Sequence, residues 1–247
     1  CKELATVTIG NSVASIGYSA FSGTIITSIN IPTSVTSMGG EGGYVFSSCT
    51  ELAQVIFLED SKLKIIPQHS FLICRKLTSI VIPNSVMSIG RQAFAGCIAL
   101  SKVTIGTGVT SIEEEAFSGC TSLISIDIPN NVTLKEPRDP TNIKEGAAGA
   151  FEGCINLANV TINYNSPDYT IPIQNWYKNA FANTNITQVT INSNTVINDD
   201  DIDKIKRYFN NFNNFNKTKV TYNFKAPKAT TTKAATTKAA TTTIIPT

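Results

Sequence analysis

The stretch CRKLTSIVIPNSVMSIGRQAFAG (Cys74–Gly96) is followed directly by CIALSKVTIGTGVTSIEEEAFSG (Cys97–Gly119). Both follow the frame C-x-x-L-x-x-V/I-x-I-P/G-x-x-V-x-S-I-x-x-x-A-F-x-G, which has a period of 23 residues. A fixed period of about 20–30 residues, with apolar positions in register, is typical of a stacked solenoid. Each repeat of a solenoid packs only on its neighbours, so the repeat itself predicts the fold.

The frame can be placed eight times along the chain. The repeats begin at Cys1, Thr24, Cys49, Cys74, Cys97, Cys120, Cys154 and Thr184. The L-x-x-V-x-I segment of each repeat ends in the alternation that a β-strand requires, and a second short extended segment follows it. One repeat has too small a core to fold alone, whereas stacked repeats bury a continuous one. With parallel strands about 4.8 Å apart, we expect an array roughly 40 Å long.

The segment IPNSVMSIGRQAFAGC (Ile82–Cys97) resembles the BspA-like class of leucine-rich repeats, which is found in surface proteins of bacteria and protists. The resemblance extends over about residues 1–191, although the third, sixth and seventh repeats depart from the frame. It implies a mainly β repeat solenoid with parallel strands. It also implies display at the cell surface and adhesion to host proteins or other cells, and it brings no catalytic residues with it.

Three segments are predicted along the chain. Residues 1–197 form the repeat array. Residues 198–225 form a small α/β cap, in which acidic residues open a helix with apolar residues at helical spacing and a strand follows at Val220–Phe224. Residues 226–247 are a Thr-, Ala- and Lys-rich tract, which we expect to stay disordered and which is typical of O-glycosylated stalks.

The chain begins inside a repeat, because CKEL at Cys1 matches CTEL and CRKL further along. We interpret it as a fragment or a mature form of a longer protein, with the N-terminal cap missing. The alternative is a lipid-modified N-terminal cysteine, as in bacterial lipoproteins.

Composition argues against several classes of function. Charged residues make up 15% of the chain and the net charge is +2, whereas nucleic-acid-binding domains carry a clustered basic face. No run of 18 apolar residues is present, so no membrane-spanning helix is predicted in this segment. His69 is the only histidine, and we interpret it as a solvated residue because Gln92 and Glu115 fill its position in other repeats. Nothing around it resembles a nucleophile motif. We expect a monomeric protein that is not an enzyme and needs no cofactor or metal.

All six cysteines occupy one position of the frame, and Thr24 and Thr184 fill the same position in the other two repeats. Because threonine replaces cysteine there, we favour an inward-facing column of free thiols, each directed at a turn carbonyl. Disulfides between adjacent coils are the alternative, since neighbouring coils bring the Cα atoms within bridging distance and an extracellular setting permits the bonds. A metal site is less favoured, because no C-x-x-C spacing is present.

The sixth and seventh repeats carry polar insertions at Leu134–Gly149 and Asn163–Lys178, called the two insertions below. Adjacent repeats place them side by side, and insertions often mark the binding face of a solenoid. Their aromatic and charged residues are typical of interfaces. The candidate partner-binding residues are Lys135, Arg138, Asp139, Tyr164, Tyr169, Trp176 and Tyr177. The alternative is that Trp176 and Tyr177 only cover the core of the enlarged coil.

Taken together, these features predict an extracellular recognition or adhesion module that binds a protein or glycan non-covalently. The alternative is a structural surface-layer or spacer solenoid without a specific ligand. Asn131 and Asn216 lie in N-x-S/T sequons and are candidate glycosylation sites in a eukaryotic host.

Overall fold

The computed structural model describes residues 2–129, 132–135, 149–164, 176, 179–193, 197, 199–212 and 221–225. The segment 226–247 and the sequon residues Asn131 and Asn216 lie outside these ranges.

Two series of short strands run along the stack, one from each extended segment of the frame. The first series comprises β2 (Ser28–Ile31), β4 (Gln54–Phe57), β6 (Ser79–Val81), β8 (Lys102–Thr104), β10 (Ser125–Ile128), β12 (Asn159–Tyr164) and β13 (Gln188–Ser193). The second comprises β1 (Ser15–Ile16), β3 (Ser37–Met38), β5 (Ile65–Ile66), β7 (Ser88–Ile89), β9 (Ser111–Ile112) and β11 (Thr133–Leu134). A helix, α1 (Asp199–Phe212), and a last strand, β14 (Thr221–Lys225), follow the repeats.

All strand pairs are parallel, and equivalent positions of the frame face one another. Ile89 of β7, for example, pairs with Ile66 on one side and with Ile112 on the other. The first series forms the sheets β2-β4-β6-β8 and β10-β12-β13-β14, and the second forms β1-β3 and β5-β7-β9-β11. This arrangement confirms the predicted mainly β solenoid, because each coil raises the chain by one strand position.

Stacked phenylalanine rings form the centre of the core. This phenylalanine column contains Phe21, Phe46, Phe71, Phe94, Phe117, Phe151 and Phe181. Successive ring centroids lie 5.1–5.3 Å apart, with interplanar angles of 4–9°, within the range at which aromatic pairs attract. Every ring is fully buried except that of Phe21, which is partly buried at the N-terminal end. The predicted burial of Phe94 and Phe117 is therefore confirmed.

The turn before each of the first five phenylalanines of the column is held in a left-handed conformation. The residues two positions before the ring have φ between 51° and 57°: Ser19, Tyr44, His69, Gln92 and Glu115. This conformation costs about 1 kcal/mol or more for a residue other than glycine. Hydrogen bonds to the next coil offset this cost, because main-chain N–H groups of the turn donate to it. Phe94 N, for example, donates to Ala116 O at 2.7 Å.

Helix α1 closes the C-terminal end of the stack. Its first turn carries three aspartates, Asp199, Asp200 and Asp201, whose charge is favourable at the positive end of the helix. Phe209 is buried, and its ring lies 5.7 Å from that of Phe181, the last member of the phenylalanine column. Strand β14 extends the sheet beside β13. The cap thus contains a helix and a strand, in agreement with the predicted fold class.

Candidate functional site

The first strand series presents an outer face that is divided between the sheets β2-β4-β6-β8 and β10-β12-β13-β14. Buried and exposed positions alternate along its strands, as in β2 and β10. The inward positions supply the core, so the outward side chains carry no packing role. The central outward column consists of Asn30, Ile56, Val81, Thr104, Asp127, Thr161 and Thr190. These are mostly short and neutral, as the sequence predicted.

The cysteines form an inward thiol column with a structural role. Each described Sγ lies 2.9–3.3 Å from the main-chain oxygen of a phenylalanine in the preceding coil. The column contains the free thiols of Cys49, Cys74, Cys97, Cys120 and Cys154. Thr24 and Thr184 donate instead to the phenylalanine carbonyl of their own turn, at 2.9 and 2.7 Å. The predicted free thiols are confirmed for these five cysteines, whereas Cys1 lies outside the described residues.

Burial also makes these thiols poor nucleophiles. It raises the pKa of Cys97 to about 12, so the sulfur stays protonated at neutral pH. Only a thiolate attacks a substrate or binds a metal well. The thiol column therefore acts as a series of hydrogen-bond donors within the core.

His69 is buried, so its interpretation as a solvated residue is wrong. Its side chain is stacked on the ring of Tyr44 from the preceding coil, at a centroid distance of 4.2 Å and an interplanar angle of 14°. The residue is only 7% exposed, and its Nδ1 atom has no hydrogen-bond partner among the described residues. Burial, helped by the positive charge of Arg91, lowers the pKa of His69 below its ordinary value. A neutral imidazole in this position packs against an aromatic ring and is not paired with a nucleophile through Nδ1.

The two insertions are described only in part. Lys135 is exposed directly after β11, and its main-chain N–H donates to Ile112 O at 2.9 Å. The backbone of Tyr164 ends β12 and pairs with Ser193 of β13. The other candidates on the insertions, Arg138, Asp139, Tyr169 and Tyr177, lie outside the described residues.

Trp176 does not have the exposure that a docking anchor needs. Its side chain is only 6% exposed, and the indole Nε1 donates to the main-chain oxygen of Val132 at 2.7 Å. The indole ring also lies 5.9 Å from the ring of Phe181 and 5.8 Å from that of Tyr208 in α1. The structure therefore supports the alternative in which Trp176 covers the core. The large indole ring shields Phe181, and its N–H group pairs with the Val132 carbonyl.

Sequence reasoning missed a cleft of about 700 Å³ beside the third, fourth and fifth repeats. Its walls are Phe57–Ser61, Val81–Ser85 and Thr104–Thr107. The third repeat, Cys49–Ile73, is two residues longer than the frame, and the extra length forms the wall that contains Leu58, Glu59 and Asp60. The only sequence signal was this difference in length, which by itself does not distinguish a bulge from a cleft.

A stack of 23-residue coils with two parallel strand series and one phenylalanine column defines a leucine-rich-repeat solenoid. The sequence of the chain matches the BspA type leucine-rich repeat region in six copies, at residues 1–71, 42–138 and 134–226. The chain belongs to this family. Comparison with curated protein sequences finds no significant match.

Several solved bacterial proteins are similar to the chain. A leucine-rich repeat protein from Eubacterium ventriosum is 30% identical, with 58% of this chain and 40% of that one covered and a TM-score of 0.49. A leucine rich cell surface protein from Faecalibacterium prausnitzii is 26% identical, with 85% and 56% covered and a TM-score of 0.46. A leucine-rich repeat protein from Bacteroides ovatus is 23% identical, with 74% and 54% covered and a TM-score of 0.43. The chain thus spans about half the length of these proteins.

Two further observations concern the described residues alone. None of their helices has the length and hydropathy required to cross a bilayer. Within the same ranges, no three His, Cys, Asp or Glu side chains are grouped so that they could hold a metal ion.

Proposed function

We propose that this chain is an extracellular cell-surface module that recognises a protein or a glycan by non-covalent contact. The observation that carries this proposal is the separation of inward and outward side chains. The five described thiols and His69 are buried in structural roles, while the outer faces are left to contact a partner. Membership of a family found in surface proteins supports the same function.

The two insertions remain candidate contact regions in this proposal. In the chain the two insertions follow the ends of β11 and β12, and Lys135 is exposed directly after β11. Lys135, Arg138, Asp139, Tyr164, Tyr169 and Tyr177 stay as candidates. Trp176 is removed from this set because its indole is buried.

A structural spacer is the second candidate function. It is favoured by the composition of the strand face, where short neutral residues replace the Trp, Tyr and Arg that dominate binding hot spots. A spacer requires only a stiff array, which the evenly spaced phenylalanine column provides.

The test is a binding screen of the full chain against extracellular-matrix proteins and a glycan array. For any partner found, we expect Arg138→Ala with Tyr169→Ala to weaken binding about thirtyfold, since truncating an anchor often costs about 2 kcal/mol and about 1.4 kcal/mol is tenfold. The matched control is Gln54→Ala with Lys102→Ala on the strand face. If only the control pair weakens binding, the strand face is the site, and if no partner binds at all, the spacer function is favoured.

A further inference from the structure

The cleft lies where strand pairing is shortest within the sheet β2-β4-β6-β8. Strands β2 and β4 pair along four residues, Ser28–Ile31 with Gln54–Phe57. Strands β4 and β6 pair only at Gln54 and Ser79. The longer loop of the third repeat follows β4, and the cleft opens beside the end of this strand pair, where the pairing stops. Its volume of about 700 Å³ is within the range of about 300–1,000 Å³ that is usual for ligand sites.

The Ser85 hydroxyl beside the cleft lacks the hydrogen bond that the equivalent serine, Ser34, makes in the second repeat. Ser34 and Ser85 occupy the same place in the I-P-x-S-V segment of two repeats. The Ser34 hydroxyl donates to Val13 O of the preceding coil at 2.8 Å. The Ser85 Oγ atom is buried and has no partner among the described residues, although Ser85 lines the cleft. Buried polar groups in proteins are almost always paired, so this hydroxyl is a hydrogen-bonding group beside the cleft that no described residue uses.

The lining of the cleft combines apolar surface with negative charge. Leu58 is 39% exposed and Val81 is 61% exposed, so the cleft presents apolar side chains at its surface. Glu59 and Asp60 are the charged residues among its described lining, and both are exposed. Neither carboxylate forms an ion pair with another described residue. The surface therefore complements a group that is apolar on one part and cationic on another.

We propose that the cleft binds an extended peptide segment of a protein partner, with a lysine or arginine two residues away from a Val, Ile or Leu. Side chains at positions i and i+2 of an extended chain lie on one side, about 6.6 Å apart. With that spacing, the lysine or arginine of the peptide contacts Glu59 and Asp60 in the loop of the third repeat. Its apolar side chain then covers Val81 on the next coil. This inference rests on the proposed recognition function and gives it a site and a partner chemistry.

The test uses the full chain and a positional-scanning library of acetylated, amidated hexapeptides. We expect selection of Lys or Arg at one position and of Val, Ile or Leu two positions away. Absence of any selected sequence, or selection at a helical spacing of three or four, overturns the proposal. A synthetic peptide of residues 226–247 is the competitor, and if it binds as tightly as the best hexapeptide, the cleft serves the chain's own basic tract and the partner proposal is wrong.

Charge variants then locate the selected peptide. Glu59→Gln with Asp60→Asn keeps the side-chain shapes, and asparagine tolerates the left-handed conformation of Asp60, whose φ is 63°. We expect about tenfold weaker binding and loss of the preference for a basic residue, together with loss of the salt dependence. The control, Glu3→Gln with Glu41→Gln, removes the same two charges from exposed positions outside the cleft and should change nothing. If the two double variants weaken binding equally, the peptide responds only to the overall negative charge of the protein, and the cleft is not the binding site.

The serine pair provides a test that does not depend on charge. We expect Ser85→Ala to raise the Tm slightly, because an unpaired buried hydroxyl is removed, and to weaken peptide binding several-fold. Ser34→Ala should lower the Tm, because it loses its bond to Val13, and should leave peptide binding unchanged. If Ser85→Ala lowers the Tm as Ser34→Ala does and binding is unaffected, the hydroxyl has a partner within the fold and the proposal fails. If full-length partners bind in the earlier screen while no hexapeptide is selected, recognition stands and only the cleft is excluded.

Discussion

Replacing Phe117 by alanine should destabilise the array far more than the same change at Phe21. Phe117 is fully buried and stacked between Phe94 and Phe151, at centroid distances of 5.2 and 5.3 Å. Phe21 is partly buried and has one stacked neighbour, Phe46. A buried Phe→Ala change costs about 3–5 kcal/mol, and each aromatic pair contributes about 0.5–1.5 kcal/mol beyond its buried area. We therefore expect about 4–5 kcal/mol for Phe117→Ala and about 1–2 kcal/mol for Phe21→Ala.

The free energy of unfolding is measured by urea titration at 25 °C with far-ultraviolet circular dichroism, since its change follows from the midpoint when the slope is constant. Phe117→Leu is the matched control, because it keeps apolar volume but removes both ring stacks, and it should cost about 1–3 kcal/mol. Amide exchange should rise first in the coils of Phe94 and Phe151, because stability in a solenoid is a sum of nearest-neighbour terms. Equal costs at Phe117 and Phe21, or exchange that rises uniformly along the chain, would refute the reasoning.

Three further outcomes are expected. Under denaturing, non-reducing conditions a thiol reagent should label most of the six cysteines, and four or more in disulfides would contradict the thiol column. The single tryptophan should show blue-shifted native fluorescence because Trp176 is buried, and Trp176→Phe should cost about 1–3 kcal/mol by leaving Val132 O unpaired; a red, solvent-exposed native emission would restore its role as an anchor. Because burial lowers the folded-state pKa of His69, its contribution to stability is complete above the unfolded pKa of about 6.5 and is lost as the pH falls through the lowered value. His69→Gln, which introduces the residue found at Gln92, should flatten the dependence of Tm on pH between about 5 and 7.5, and an unchanged slope would exclude His69 as its source.

Positions that recur in the frame were predictable from sequence, because each repeat places the same side chain in the same surroundings. The inward direction of Cys97 and the burial of Phe94 follow from their equivalents in neighbouring coils. Where the surroundings occur only once, periodicity gives no information. Trp176 lies in an insertion without an equivalent, so spacing could not show that its indole covers Val132. His69 was misjudged because Gln92, at the same position, is polar, whereas the ring of Tyr44 supplies a stacking partner to His69 alone.

The thiol and turn hydrogen bonds have a mechanical consequence. Turn N–H groups donate forward to the next coil, and the thiols donate backward to the preceding one, so neighbouring coils are joined by two oppositely directed sets of bonds. When the chain is pulled by its ends, a terminal coil is held by one neighbour, whereas an inner coil is held by two. The array should therefore peel one coil at a time, each releasing about 75 Å of extended chain at about 3.3 Å per residue. The expected signature is a series of equal extension steps, one for each coil.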